Sequence, residues 1–426
     1  VQTVQELAAR TVAEVLDGRS LKTTLAQLWP RHSSLTESQR GAIQDLGYGT
    51  LRELGRMRGL LRRMVDREPT DPLLRALLLV ALFQLKHTRA APYAVVNGAV
   101  STGSRLISPA FKGLINALLR RYLRESAQLD RTANDDDEAL YSYPQWWIDR
   151  VRQEYPQHWV RILEAGNAHP PLTLRINRRR VDTVRYASML ADSGLPYQSL
   201  GEVGMRLEKP VPVSRIPGFA DGWVSVQDAG AQWAPQLLDL RPGQRVLDAC
   251  AAPGGKAAHM LEAVEVDLTA MDCDAGRLQR VADNFARLGL SARTLCADAG
   301  KTDTWWDGQA FERILADVPC SASGVVSRHP DIKWLRRPQD LIRFSEQQRC
   351  LLDALWKVLA PGGKLLYVTC SIFNQENELQ IQRFMTRWND AERLSLESFP
   401  ETDGQLLPGN EHDGFYYALL SKKHRT

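Results

Sequence analysis

Between residues 245 and 370 the chain repeats one alternation, short apolar runs separated by amphipathic stretches, and no other feature narrows its possible architecture as much. The runs are RVLDACA (245–251), VDLTAMD (266–272), ARTLCAD (292–298), FERILADVP (311–319) and GKLLYVTC (363–370). Between them, segments such as AGRLQRVADNFARLG and LLDALWKVLA carry apolar residues at helical spacing. Strands this apolar must be covered on both faces. The expected result is an α/β doubly wound, mostly parallel Rossmann-like sheet that binds its ligand outside the carboxyl ends of its strands.

The first run leads into Asp248-Ala249-Cys250-Ala251-Ala252-Pro253-Gly254-Gly255-Lys256, where small residues and paired glycines let a ligand approach the backbone at the start of a helix. The segment matches neither the dinucleotide pattern G-x-G-x-x-G nor the phosphate loop G-x-x-x-x-G-K-[ST], which weakens a nicotinamide or nucleotide reading. Asp272 ends the next strand, about 20 residues after the loop, placed to accept from ribose hydroxyls. Asp298 ends the third, placed to accept from an adenine amino group. A ligand with ribose and adenine but no required pyrophosphate fits, and S-adenosylmethionine is the expected cofactor. Taken singly, each aspartate also reads as an ordinary strand-end turn residue.

The rest of the chain reads as further domains, as its 426 residues require. Residues 1–135 are read as an all-α bundle, with helical spacing in LLRALLLVALFQL (73–85) and FKGLINALLRRYL (111–123). A turn at Glu68-Pro69-Thr70-Asp71-Pro72 offers Thr70 or Asp71 as a cap. Residues 1–131 hold 20 Lys/Arg against 11 Asp/Glu, a net +9 that leaves −5 for the remainder. Such asymmetry points to a polyanion partner, although a solvated helical surface has the same charge. The basic residues include Arg56, Arg58, Arg62, Arg63, Arg67, Lys112, Arg120, Arg121 and Arg124, the last three within about one helical turn. The acidic run 134–138 is read as a solvated linker, followed by a small α+β middle module at 136–222 and the sheet domain at 223–426.

The six cysteines (250, 273, 296, 320, 350 and 370) form no CxxC pair, so neither zinc nor a disulfide framework is expected. No apolar run approaches the roughly 20 residues that span a bilayer, and the opening VQTVQELAAR lacks a signal-peptide layout. A cytoplasmic protein without membrane contact is expected.

Three segments carry a family resemblance. CAAPGGK (250–256), DVPCSASGVVSRHPDIKW (317–334) and YVTCS (367–371) resemble the signatures of the RsmB (Fmu/Sun) type of RNA cytosine-5 methyltransferase. DLGYGTLREL (45–54), FQLKHTRAAPYAVVNGAV (83–100) and FKGLINALLRR (111–121) resemble the RNA-binding helical domain shared with the antitermination factor NusB. The resemblance implies S-adenosylmethionine-dependent methylation of carbon 5 of a cytosine in 16S ribosomal RNA, at position 967, by a single chain without metal. By position, it gives cofactor contacts to Cys250, Ala251, Ala252, Pro253, Gly254, Gly255, Lys256, Asp272, Asp298 and Asp317, and makes Cys370 the nucleophile. Val318 and Cys273 depart from the family's usual residues and remove no reactive group.

The chemistry explains why such residues are needed. Carbon 5 of cytosine is a poor nucleophile until a thiolate adds to carbon 6. Asp317 is read as meeting the charge that develops at N3, and Cys320 as assisting release after methyl transfer. DNA cytosine-5 enzymes attack with the cysteine of a Pro-Cys motif, the counterpart of Pro319-Cys320, whereas the RNA family uses the position of Cys370. Cys250, Cys273, Cys296 and Cys350 otherwise read as packing residues. Lys256, Arg328, His329 and Lys333 are candidates for holding phosphates or the flipped base. Arg175, Asn177, Gln227 and Asp228 read equally as cleft-lining or structural, and Trp334 as a stacking surface or core. The rival functions are a non-catalytic RNA-binding factor, a DNA cytosine-5 methyltransferase and a nicotinamide oxidoreductase.

Overall fold

The computed structural model describes residues 2–397, 399 and 403–424. The chain gathers into two compact units. The first holds the chain through Ala168 together with Val326–Arg337; the second holds His169–Val325 and the chain from Pro338 onward.

In the first unit, the helix Pro72–His87 is apolar on every face, and Ala76 through Gln84 are all buried. A helix with no polar face must sit inside a bundle. Its neighbours include Gln2–Leu16, Glu37–Arg52, Leu54–Met64, Pro92–Leu106 and Lys112–Ala133. Asp71, rather than Thr70, caps it by accepting from the Leu74 N–H at 2.8 Å, with Pro72 in the first turn. Gly49 lets the Phe83 ring lie against its helix backbone, since a Cβ there would stand 2.1 Å from the ring.

The acidic run is not a solvated linker. Asp136 caps the helix Asp137–Tyr141, Arg62 faces Asp136 and Glu138 at 3.5 and 3.7 Å, and Arg152 pairs with Asp137 at 2.8 Å. Acidic residues clustered at a helix start meet the positive end of its dipole, and here arginines neutralise them as well. The helices Gln145–Glu154 and Trp159–Asn167 then continue the same unit.

The second unit contains two sheets. In the smaller, β1 (Leu172–Ile176), β2 (Tyr197–Leu200), β3 (Gly204–Leu207) and β4 (Val224–Val226) run antiparallel in the order β2-β3-β1-β4. Leu174, Ile176 and Met205 form a core with Tyr186 and Leu190 of the helix Thr183–Asp192. The larger sheet contains β5 (Arg245–Asp248), β6 (Asp267–Asp272), β7 (Arg293–Cys296), β8 (Phe311–Asp317), β9 (Leu359–Thr369), β10 (Ala391–Leu394), β11 (Gln405–Leu406) and β12 (Phe415–Lys422). Its order is β10-β12-β9-β8-β5-β6-β7, with β11 paired to β12. The five strands from β9 to β7 are parallel, while β10, β11 and β12 add antiparallel pairings.

Successive residues of the central strands enter opposite cores, Val246, Leu268 and Leu366 on one face, Leu247, Met271 and Leu365 on the other. Burial on both faces explains the unbroken apolar runs of the sequence. Among the described residues, no helix is long and apolar enough to cross a membrane.

Candidate active site

Every strand-end residue singled out from the sequence lies at the carboxyl edge of the parallel sheet or in the loops leaving it, because parallel strands point all their carboxyl ends the same way. After β5 the chain turns through the loop 249–254 into the helix Gly255–Ala263. Gly254 adopts φ +97°, and a Cβ there would stand 3.1 Å from Val281, so glycine is needed for both conformation and approach.

Asp272, at the end of β6, is 3% exposed; its carboxylate accepts from the Ala252 N–H (3.3 Å) and the Asp274 N–H (3.1 Å) and faces Arg277 at 3.2 Å. It therefore ties the loop to its neighbouring strand. Asp298, beyond β7, is exposed and closes a turn by accepting from the Gly300 N–H at 3.0 Å.

Three ionisable groups converge beneath the loop. Lys256 Nζ donates to Asp317 Oδ2 at 2.7 Å. Burial works to lower the lysine pKa, but the Asp317 charge and hydrogen bond, aided by Cys370 and Asp248, outweigh it and hold the ammonium above its ordinary value. Asp248 is buried, its Oδ1 has no hydrogen-bond partner among the described residues, and burial together with the Asp317 charge pushes its pKa up to about 8.

Cys370 Sγ and Cys320 Sγ stand 3.4 Å apart, Cys370 half-buried at the end of β9 and Cys320 buried in the loop after β8. The hydrogen bond to Cys370, then burial, drives the Cys320 pKa well above that of a free thiol. Either sulfur can donate in this contact, and Cys370 is the less buried of the two. Cys250 is pushed up by burial and by the Asp248 charge, so it stays an unreactive thiol.

Other candidates have structural partners of their own. Lys333, proposed for phosphate or base contact, is fully buried in the first unit, donating to Arg52 O (2.9 Å) and Asn167 Oδ1 (2.6 Å). Arg328 and His329 belong to the same segment, and burial lowers the His329 pKa. Asp331 of that segment accepts from the Leu21 N–H at 2.9 Å, while Trp334 packs on the helical core and donates to Leu51 O at 2.8 Å. Of its two readings, core is the one observed.

Arg175 is fully buried in a bidentate pair with Glu262 (2.9 and 2.8 Å), donates to Gly255 O (2.8 Å) and also bonds Gln227. Asn177 donates to Gly222 O, and Asp228 accepts from the Gly230 N–H. These four hold the frame around the loop. The sequence reading overlooked Glu376, a fully buried carboxylate to which the loops carrying both cysteines are tied. No spacing rule distinguishes it from a solvated turn acid.

Comparison with known proteins covers the whole length. Residues 235–421 match the family described as 16S rRNA methyltransferase RsmB/F, residues 143–214 the ferredoxin-like domain of RsmF/B-like methyltransferases, and residues 2–124 the NusB family. The chain is 42% identical to a ribosomal RNA small subunit methyltransferase B of Vibrio cholerae, covering 100% of this chain and 98% of that one. A protein of the same description from Escherichia coli is 41% identical over 99% of each. The crystal structure of PH0851 shares the fold with a TM-score of 0.81 at 24% identity, covering 98% and 99% of the two chains.

Proposed function

Because the chain belongs to the RsmB/F family of 16S rRNA methyltransferases, we propose that it methylates carbon 5 of a cytosine in 16S ribosomal RNA, at position 967, through a covalent bond between Cys370 and carbon 6. The observation that carries the mechanism is the 3.4 Å approach of the Cys320 thiol to Cys370, beside the Lys256–Asp317 pair.

S-adenosylmethionine suits the residues present: a glycine cradle at 254–255, an orphaned buried oxygen on Asp248, and carboxylates at 272 and 298 for ribose and adenine. Residues 250–256 with Asp272, Asp298 and Asp317 would hold it. When bound, it supplies an electrophilic methyl group on a sulfonium.

The chain's own residues do the rest. The Cys370 thiolate forms the bond to carbon 6, and the displaced electron pair passes through carbon 5 toward N3. The Lys256–Asp317 pair lends a proton to N3 and takes it back when the adduct collapses. The same step makes carbon 5 nucleophilic enough to accept the methyl.

Once the Cys370 sulfur is bonded to carbon, its negative charge and its hydrogen bond to Cys320 are gone, and the Cys320 thiol is held by burial and the Glu376 charge alone. Cys320 then yields its proton to solvent and removes the hydrogen from carbon 5. The carbon–sulfur bond breaks, the pyrimidine double bond re-forms, and Cys370 leaves as a thiolate that again accepts from Cys320. One proton is released per methyl transferred.

Base-resolution mapping of 5-methylcytosine in rRNA from cells with and without the protein tests this function. One cytosine of 16S rRNA should lose its mark in the deletion strain and regain it from the wild-type chain but not from Cys370→Ala. An unchanged map would refute it.

A further inference from the structure

Neither catalytic sulfur is held by its own side chain's partners alone, and the order around them converges on one residue outside the chemistry. Glu376, in the turn before the helix Glu378–Arg387, is 0% exposed. Its Oε1 accepts from the Ser321 N–H at 2.7 Å and from Gln348 Nε2 at 3.2 Å. Its Oε2 accepts from the Ser321 hydroxyl at 2.5 Å and the Ser371 hydroxyl at 2.6 Å. Ser321 and Ser371 each directly follow a cysteine.

One carboxylate thus joins the loop after β8 to the loop after β9. The seam has further stitches: Gly324 N–H donates to Cys370 O (2.8 Å), Ile372 N–H to the Ser323 hydroxyl (2.9 Å), and the Gln348 amide to Pro319 O (2.9 Å). The turn holding Glu376 is itself anchored, because the Tyr367 hydroxyl donates to Glu376 O at 2.6 Å. A buried charge with four donors is costly to assemble and is retained where it fixes one arrangement.

We propose that Glu376 is a positioning residue that sets the spacing of Cys320 and Cys370, so that attack and release act on the same cytosine. Its effect is unequal on the two. Cys370 directly follows Thr369, the last residue of a central strand, and only one of the four Glu376 bonds falls on its loop, whereas Cys320 lies three residues beyond its strand in a loop on which two of them fall. Release is therefore more sensitive than attack. Glu376 touches neither sulfur, and its charge adds to the forces keeping Cys320 protonated. The inference rests on the two-cysteine reading above.

The test compares Glu376→Ala, Glu376→Gln and Cys320→Ala in the full-length protein with a 16S rRNA fragment. Glu376→Ala should lower kcat by roughly tenfold to a hundredfold, the scale of an ångström-sized misplacement, with cofactor Kd within about twofold of wild type. It should also accumulate denaturation-resistant protein–RNA adduct, as Cys320→Ala does. Glu376→Gln should recover most of the rate and clear the adduct, since its carbonyl keeps the Ser321 N–H and Gln348 while the two serine hydroxyls turn to accept from its amide. If Glu376→Ala does not fold, Ser371→Ala, which removes one of the four donors, should show the same signature at smaller amplitude.

Wild-type turnover in Glu376→Ala, turnover lost without adduct, or cofactor affinity lost in parallel with turnover would each overturn the proposal, as would wild-type behaviour of Ser371→Ala where that variant is the one measured. If Cys320→Ala traps RNA and Glu376→Ala does not, only the positioning role fails. If Cys320→Ala traps nothing, the two-cysteine reading fails and takes this proposal with it.

Discussion

Replacing Arg175 by methionine should destabilise the second unit by about 3–5 kcal/mol, because it strands a charge rather than merely deleting a contact. Arg175 is fully buried and the Glu262 side chain is 4% exposed, so the carboxylate left behind has almost no access to water. It loses two hydrogen bonds of 2.8–2.9 Å at once. Arg287, whose charge also acts on Glu262, offers partial compensation and places the expectation toward the lower end. The loss also reaches the cofactor loop, since Arg175 donates to Gly255 O at 2.8 Å.

Chemical denaturation followed by circular dichroism, with calorimetric titration of S-adenosylmethionine, measures both effects. The double variant Arg175→Met/Glu262→Leu removes both charges and should return to within about 1–2 kcal/mol of wild type, because an apolar pair of similar volume replaces the ion pair. A single-variant cost below about 1 kcal/mol, or a double variant as unstable as the two single losses combined, would refute the reasoning.

Asp272→Ala should weaken cofactor binding by about 1–3 kcal/mol in the same titration, and wild-type affinity would reduce Asp272 to a clamp on the loop. Burial holds the Lys333 pKa well below its ordinary value, so from that depressed value up to about 10.4 the unfolded chain binds more protons than the folded one. Stability should therefore rise with pH across that window, by at most about 1.4 kcal/mol per unit, and Lys333→Met should flatten the rise in thermal unfolding measured at pH 7 and 9. A Lys333→Met variant whose pH dependence matches that of wild type would contradict the lowered pKa. Arg120 and Arg124 are exposed on one helix of the basic unit; if they contact phosphates, Arg120→Gln/Arg124→Gln should reduce the salt slope of RNA binding by about 1.5, and an unchanged slope would remove them from the interface.

The large sheet was legible because burial on both faces of a parallel strand leaves a long apolar run and each strand end exposes its polar residue to the ligand side. Asp248, Asp272 and Asp317 could be placed that way. The antiparallel β10 and β11 were not, because strands of four and two residues leave no comparable run, and Ala391–Leu394 alternates charge with apolarity like any surface segment; β12, FYYALLSK, does carry such a run and was overlooked. Lys333 was misread for a different reason. Adjacency to Cys320 in sequence suggested a place in the chemistry, whereas its amine is buried in the helical unit, bonded to Arg52 O and Asn167 Oδ1. Glu376 was invisible because its meaning depends on two loops 50 residues apart meeting at one carboxylate.

The division of labour between the two cysteines is the central claim, and denaturing electrophoresis of protein–RNA mixtures with S-adenosylmethionine tests it most directly. Cys320→Ala should remain bonded through Cys370 to the methylated cytosine and run as a retarded covalent complex. Cys370→Ala should form none and be inactive, and the double variant should lose the complex. The reverse pattern, with Cys370→Ala trapping RNA and Cys320→Ala merely inactive, would contradict the assignment and make Cys320 the nucleophile.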